Sequence, residues 1–592
     1  MLIKALSDYY DILKDEGKIL SDYYSNVKIH YIVCLTEDGK IDNIIDAGKD
    51  CLEVMPRRED TTKTLSNKIE HRGKYIFGFD WGKNQLLITD NSKKSYENFK
   101  KVNIEFLENL DSPIINAYRN FILNWNPENE IENQYLINLG TKYNNPSFVF
   151  CLSGQINLYL HKDKQVIKKY KNLFDNKKEN DIKSQCAITG ELREIARIHD
   201  KIKGISKGQS SGTLLVSFNN ESENSYCNEQ SYNSNISKYI MKKYTTALNY
   251  ILSNDNNKSI FDDITVIYWV MSNNEKSNDI ISDFLFNESN DYDIKVMLEN
   301  IIKEAKSGLL THKKIKNILS ELDLNGNDDF YMVGLKPNSS RLALKFIYKR
   351  KFADILINIG IHQNDMQISN NIKPISLWKI KNELVSPKAK KKDINPALFD
   401  KIFKSIIYGT NYPKALLYIV IQRAKIDKNT EKNQYIDIKN NTTRVGIIKA
   451  YINRKCRISN KEEEIKLGLD KENKNSAYLC GRLFAVLEKL QQRASGDKLN
   501  TTIRDTYFAS ASSKPAIIFP KIINLAQNHI KKLDNPKFYN DLIREIINDI
   551  DNEFPKILTL EEQGRFIIGY YQQYQSFFEK KSENEHLNKE EE

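Results

Sequence analysis

Apolar and polar positions alternate between two periods along this chain, and the change of period marks its elements. Leu2, Ala5, Leu6, Tyr9, Tyr10 and Leu13 recur at three- and four-residue spacing with acids opposite, which predicts an amphipathic N-terminal helix. Val27–Leu35 (VKIHYIVCL) alternates with period two and runs into TEDGK, so a strand and a hairpin turn are expected. Asn116–Trp125 returns to the helical period, while SFVFCLSG and INLYLH read as a strand pair. Lys162–Lys183 is rich in Lys and Asn and predicted to be exposed. Further on, ITVIYWV (Ile264–Val270) reads as a buried strand, Asp279–Gly308 as helical with a polar face, and Lys313–Leu322 as a short helix. FYMVGL, the turn KPNSS and RLALKFIYK then predict a hairpin within Phe330–Lys351. In its second strand Arg341, Lys345 and Lys349 fall on one face with Ala343 and Ile347, and Leu342, Leu344, Phe346 and Tyr348 on the other. That row of cations suits a nucleic-acid strand, or equally an edge strand guarded against aggregation.

Beyond SPKAKKKDINP (Ser386–Pro396), a Lys- and Pro-rich run that reads as a linker, the pattern is helical. Asn411–Lys425 and Val445–Arg457 are helices by period. Four stripes follow: Leu479, Leu483, Val486, Leu487, Leu490; Phe519, Ile522, Ile523, Ala526, Ile530, Leu533; Leu542, Ile543, Ile546, Ile547, Ile550; and Phe566, Ile567, Tyr570, Tyr571, Tyr574, opened by Pro555. Short connections between amphipathic helices predict a bundle. The expected class is α+β. A mixed α/β nucleic-acid-binding body spans 1–385, with a linker at 386–396. A helical connection covers 397–475, a four-helix-type bundle 476–580, and a charged tail 581–592.

Composition adjusts this picture. At 592 residues the chain exceeds one core, and 40% hydrophobic residues exclude a disordered protein. Lys+Arg 89 against Asp+Glu 78 leaves +11, which suits a polyanionic partner but only modestly at this size. Seven scattered cysteines without C-x-x-C spacing predict reduced thiols in a cytoplasm rather than disulfides or zinc. No apolar run approaches the ~20 residues that cross a bilayer, so a soluble chain without a membrane partner is expected.

Candidate chemistry concentrates in Cys186–Leu252. Within it, Gly204, Gly208 and Gly212 punctuate a segment carrying Lys201, Lys203, Lys207, Gln209, Ser210 and Ser211, followed by TLLVSF and the break Asn219–Asn220. Glycines permit close backbone approach, and lysines and hydroxyls donate to phosphate oxygens; a surface connection whose glycines only make turns would read the same way. An earlier loop with Arg57, Arg58, Lys63, Lys68, Arg72 and Lys74 has little apolar periodicity and suits backbone contacts, or plain solvation.

Several blocks together carry a resemblance: SSGTLLVSFN with YTTALNYIL and TVIYWV, then FYMVGLKPNSSRLALKFIY, AYLCGRLFAVLEKLQQRA, TTIRDTYFASASSKPAIIFPKIINLAQNHI and EEQGRFIIGYYQQ. In this order they resemble the large subunit of the type I-C CRISPR Cascade surveillance complex. The resemblance implies a non-catalytic subunit that recognises the protospacer-adjacent motif (PAM) in target double-stranded DNA. It also implies help with unwinding, and partners in the CRISPR RNA guide, the other Cascade subunits and a helicase-nuclease. On that reading Lys203, Lys207, Gln209, Ser210 and Ser211 contact the duplex, with Asn219, Arg57, Arg58, Lys63 and Lys68 secondary. Gln and Asn read base edges and lysines attract the backbone. Arg341, Lys345, Lys349, Arg482 and Arg493 would guide the displaced single strand. The resemblance further implies that the C-terminal part is also made separately as a small subunit. Met366 is the last methionine, so such a product would start at a non-AUG codon near Leu467–Val486.

No cofactor or metal is expected. GISKGQSS lacks the Gly-Lys-Ser/Thr end of a phosphate-binding loop, and His199–Asp200 has too few histidines elsewhere to complete a metal site. The competing readings are a metal-dependent nuclease and a purely architectural subunit without DNA contact.

Overall fold

The computed structural model describes all residues except 20–23, 49–50, 57–64, 83, 176–181, 287–291, 371–373, 387–394, 428–436, 461–463, 497–500, 551–552 and 588–592. The chain divides into two compact units: residues 3–197 with 232–246, and residues 1–2 with 198–231 and 247–592.

In the first unit, α1 (Leu2–Asp15) buries Leu6, Tyr9, Tyr10 and Leu13, as its spacing predicts. Strands β1 (Tyr24–Lys28), β2 (Tyr31–Leu35), β3 (Ile41–Asp46) and β4 (Leu52–Pro56) follow. The single strand expected over Val27–Leu35 is two, because the Ile29 N–H bonds the Cys51 carbonyl and the His30 N–H turns to that of Ser147. Short elements α2 (Gly73–Phe77), β5 (Asp80–Gly82) and β6 (Gln85–Leu87) lead to α3 (Asp90–Leu107), α4 (Pro113–Asn124) and α5 (Gln134–Ile137). Strand β7 (Phe148–Leu152) lies parallel to β2 and antiparallel to β8 (Gln155–Tyr159), giving the order β3-β2-β7-β8. A parallel pair needs a long crossover; α3 and α4 lie within it, and α4 sets Tyr118 4.7 Å and Phe121 5.5 Å from the Phe150 ring. After α6 (Lys164–Asp175) come the hairpin β9 (Lys183–Gln185) and β10 (Leu192–Glu194), and α7 (Lys238–Ser253), whose later residues belong to the second unit.

The second unit is built on β11 (Lys258–Phe261), β12 (Ile264–Val270), β13 (Asp329–Asn338) and β14 (Arg341–Lys351), an antiparallel sheet in sequence order. Helices α8 (Lys276–Phe286), α9 (Tyr292–Lys306) and α10 (His312–Ser320) lie between β12 and β13. Those after the sheet are α11 (Phe352–Met366), α12 (Leu377–Leu384), α13 (Pro396–Tyr408), α14 (Lys414–Ile426) and α15 (Thr442–Ser459). The last five are α16 (Ser476–Ser495), α17 (Ile503–Ala511), α18 (Pro515–Ile530), α19 (Lys537–Asp549) and α20 (Leu560–Leu587). All of β12 is buried, as expected of ITVIYWV.

The class is α+β, as the patterns predict, but the units divide elsewhere than at 386–396. Most of that proposed linker lies outside the described residues. Beyond it α13 returns to the sheet, with Phe399 and Phe403 4.5 and 5.7 Å from Phe261 and the Tyr348 hydroxyl donating to Asp400. One core therefore runs from Phe261 to Tyr571. The four C-terminal stripes are helices, and α17 joins them; the last starts at Leu560 rather than at Pro555. Helices α16 and α20 cross at Gly481 and Gly569, where an added Cβ would overlap the carbonyls of Phe566 and Tyr478. The bundle is continuous with what precedes it, since Gly564 of α20 faces Ile448 and Ile452 of α15.

Candidate nucleic-acid interface

Residues 201–214 do not form the expected loop feeding a regular strand. Of TLLVSF only Thr213 and Leu214 pair, in single bridges: Thr213 with Ile202, and Leu214 in parallel with Arg341. The run is instead laid along the sheet. The Leu214 N–H bonds the Ser340 carbonyl and the Leu342 N–H bonds that of Leu214, both at 2.8 Å. Near the start, the Asn249 side chain accepts from the Lys203 N–H at 2.8 Å and donates to the Lys201 carbonyl at 3.2 Å. Midway, the Ser206 N–H reaches the Thr265 hydroxyl of β12 at 3.3 Å.

Between these anchors the chain turns sharply. Gly212 has φ +94° with Lys201 and Ile202 against the place a Cβ would occupy, so that position requires glycine. Lys207 itself takes φ +58°. Pinned at several points, the backbone leaves Lys203, Lys207, Gln209, Ser210 and Ser211 exposed, and Asn219 is exposed further on. The structure thus brings the principal predicted duplex-contact residues onto one anchored segment.

Its electrostatic surroundings include residues that the sequence reading passed over. Lys336 pairs with Asp263, and this hydrogen bond holds the Asp263 carboxyl below its ordinary range, with the Lys207 charge adding to it. Glu223 grips Arg341 through two hydrogen bonds of 2.6 and 2.9 Å and accepts from the N–H groups of Asn219 and Asn220. The Arg341 contact leads in lowering its pKa to about 2. Asn220 and Glu223 form a capping box, a signal legible as Asn-x-x-Glu.

The cation row predicted on β14 is broken. The register slips between Gly334 and Leu335, so that Phe346 faces Gly334 while Leu344 faces Leu335, and Lys345 is the extra residue of a bulge. A bulge reverses the phase of alternation. Arg341 and Lys349 therefore lie out of phase, and Leu344, expected in the core, is 45% exposed. Arg341 is committed to Glu223, and Lys349 pairs with Asp329 at 2.7 Å above the Tyr331 ring. Lys345 remains exposed at the bulge.

Arg482 is not on a strand-guiding surface. It is fully buried in α16, its Nε donating to Gln573 at 3.0 Å and its guanidinium 3.3 Å from Glu545. The wide stripe of α16 reaches around to its position, so a cation there is a core group. Arg493, a turn or more later, is exposed and acts on the Tyr539 hydroxyl.

In the first unit Arg57, Arg58 and Lys63 lie outside the described residues, and Lys68 is half-buried. Lys68 sits in a segment anchored by Glu70, a buried carboxylate. Burial pushes its pKa up, but the Arg72 guanidinium and the Asn67 N–H outweigh that, leaving the group below its ordinary value. Arg72 also stacks 3.6 Å over Tyr75. These contacts tie it into the fold.

His199 is buried and its pKa is lowered by that burial to about 4. Among the described residues, no three His, Cys, Asp or Glu side chains converge as metal ligands would, and no helix is long and apolar enough to cross a membrane.

No curated protein matches this sequence. Residues 6–578 match the family described as CRISPR-associated protein (Cas_Csd1). With nearly the whole chain inside that match, and the 201–223 segment and the C-terminal helices within it, the chain belongs to the CRISPR-associated Csd1 family.

Proposed function

We propose that the chain is the non-catalytic large subunit of a type I-C Cascade complex and that its 201–213 segment reads the protospacer-adjacent motif in duplex DNA. Membership in a CRISPR-associated family supports the setting. The observation that carries the motif reading is the exposure of Lys203, Lys207, Gln209, Ser210 and Ser211 on a backbone tied to the sheet. Lysines on a fixed backbone neutralise phosphates in register, and the Gln209 amide can both donate to and accept from a base edge. Guide pairing would then carry the remaining specificity. Guide RNA, the other Cascade subunits and the helicase-nuclease are the partners on this reading. Lys345 and Arg493 remain as cations for the displaced strand, and Asn219 and Lys68 as secondary duplex contacts.

The test is duplex binding by the assembled complex at several salt concentrations. With Lys203→Ala and Lys207→Ala together, affinity falls and the slope of log K against log salt drops by about 2, the loss of two phosphate contacts. An unchanged affinity and slope would remove the segment from the duplex.

A further inference from the structure

A cleft of about 220 Å³ opens among α16, α17 and α18, lined in part by Gln491, Thr506, Tyr507, Leu525 and His529. That is smaller than the ~300 Å³ at which pockets for drug-sized ligands begin, and suits a single planar ring system. Its floor is apolar: Leu487, Ile522 and Ala526 are buried. The walls are polar and available. Gln491 spends its carbonyl on the Ile503 N–H at 2.7 Å, which leaves its NH2 as a donor. The buried His529 Nδ1 meets no hydrogen-bond partner among the described residues.

Cations stand at the rim. The Lys521 ammonium lies 5.3 Å from the Tyr507 ring, and Lys532 is near enough to His529 to add to burial in lowering the imidazole's pKa. The carboxylates that bond the lining residue Thr502 are already engaged: Asp505 caps the Thr502 N–H at 2.9 Å, and Glu488 accepts from Lys439, Tyr570 and Thr502.

We propose that this cleft holds one unstacked nucleobase of a single strand of nucleic acid, with its flanking phosphates drawn to Lys521 and Lys532. An aromatic wall, polar groups that can donate and accept, an apolar floor and outer cations together match a base with its backbone. A partner's apolar side chain would use the floor and leave the walls and both cations idle. The inference rests on the reading that the C-terminal helices guide a displaced strand, and it places a contact with that strand at the cleft rather than at the buried Arg482.

The experiment measures binding of the full-length chain to a fluorescein-labelled single strand, to an abasic strand of equal length, and to RNA of the same sequence. The intact DNA or RNA strand binds about tenfold more tightly than the abasic one, the increment expected from stacking one base. Whichever intact strand binds tighter identifies the source. Tyr507→Ala and Thr506→Trp, which remove a wall and fill the mouth, each abolish that increment and leave abasic binding unchanged; thermal melting checks their fold. Equal binding of intact and abasic strands by the unaltered chain overturns the proposal and assigns the cleft to a protein side chain. So does a loss that is identical for both strands. Lys203→Ala with Lys207→Ala keeps the full increment, so failure of duplex reading is distinguishable from failure here.

Discussion

His362 shows what burial does to a single titratable residue. It is buried on α11, with Nδ1 2.6 Å from the Tyr412 hydroxyl; burial, then the Arg454 charge, lowers its pKa to about 3. Asp365 and Arg457 also face this cluster. The unfolded chain's histidine protonates near 6.5, so below that pH the unfolded state binds a proton that the folded state refuses. Stability is therefore fully present above pH 6.5 and is lost as pH falls from there toward 3, by about 1.4 kcal/mol per pH unit for this group. His199, lowered to about 4, acts in the same direction. Urea denaturation at pH 7 and pH 5 is expected to show the drop, and His362→Gln to lessen it, leaving the share that belongs to His199. Parallel slopes for both proteins would contradict the assignment. Of all this, the sequence offers only a histidine; its depressed pKa comes from burial and from the charge of Arg454 on α15, while its hydrogen-bond partner Tyr412 lies in the connection before α14.

Elements were legible where one face meets one core. The N-terminal helix and the four C-terminal stripes have a clear helical period and turn the residues it selects inward, buried or half-buried, while β12 is an apolar run buried throughout. The β14 row failed because a bulge is a property of two strands: nothing in RLALKFIYK alone says that Gly334 is opposite Phe346 while Leu335 is opposite Leu344. TLLVSF failed similarly, since its partner for Leu214 is Arg341, over a hundred residues away. The exposed members of the candidate segment were readable from type and spacing. Its anchors, Asn249, Thr265 and Ser340, were not. Those anchors make a prediction proper to this scale. Asn249→Ala removes two hydrogen bonds to the segment and no charge. It is expected to raise amide exchange across 201–206, to cost roughly 1–2 kcal/mol locally, and to weaken duplex binding at an unchanged salt slope. If affinity holds while exchange rises, a fixed backbone is not what the duplex requires.

At the scale of the molecule, composition and pattern gave the α+β class but misplaced the division. A Lys- and Pro-rich run reads as a boundary, yet the residues after it fold back on the sheet through Phe399 and Phe403. The actual units exchange segments at 198–231 and 232–246, a threading that no local signal records. The same continuity bears on any separately made C-terminal product: it would lack α14 and α15, which cover α20 at Gly564. Motif reading is the role that would set this chain apart from a scaffold. The most direct measurement is selection of targets carrying a randomised motif beside a matched protospacer, at fixed salt. The guide-loaded complex is assayed with the unaltered chain, with Gln209→Ala, and without the chain. Motif preference is predicted to relax at one or more positions with Gln209→Ala and to vanish without the chain. A preference that persists when the chain is absent would place motif reading in another subunit and leave this chain a scaffold.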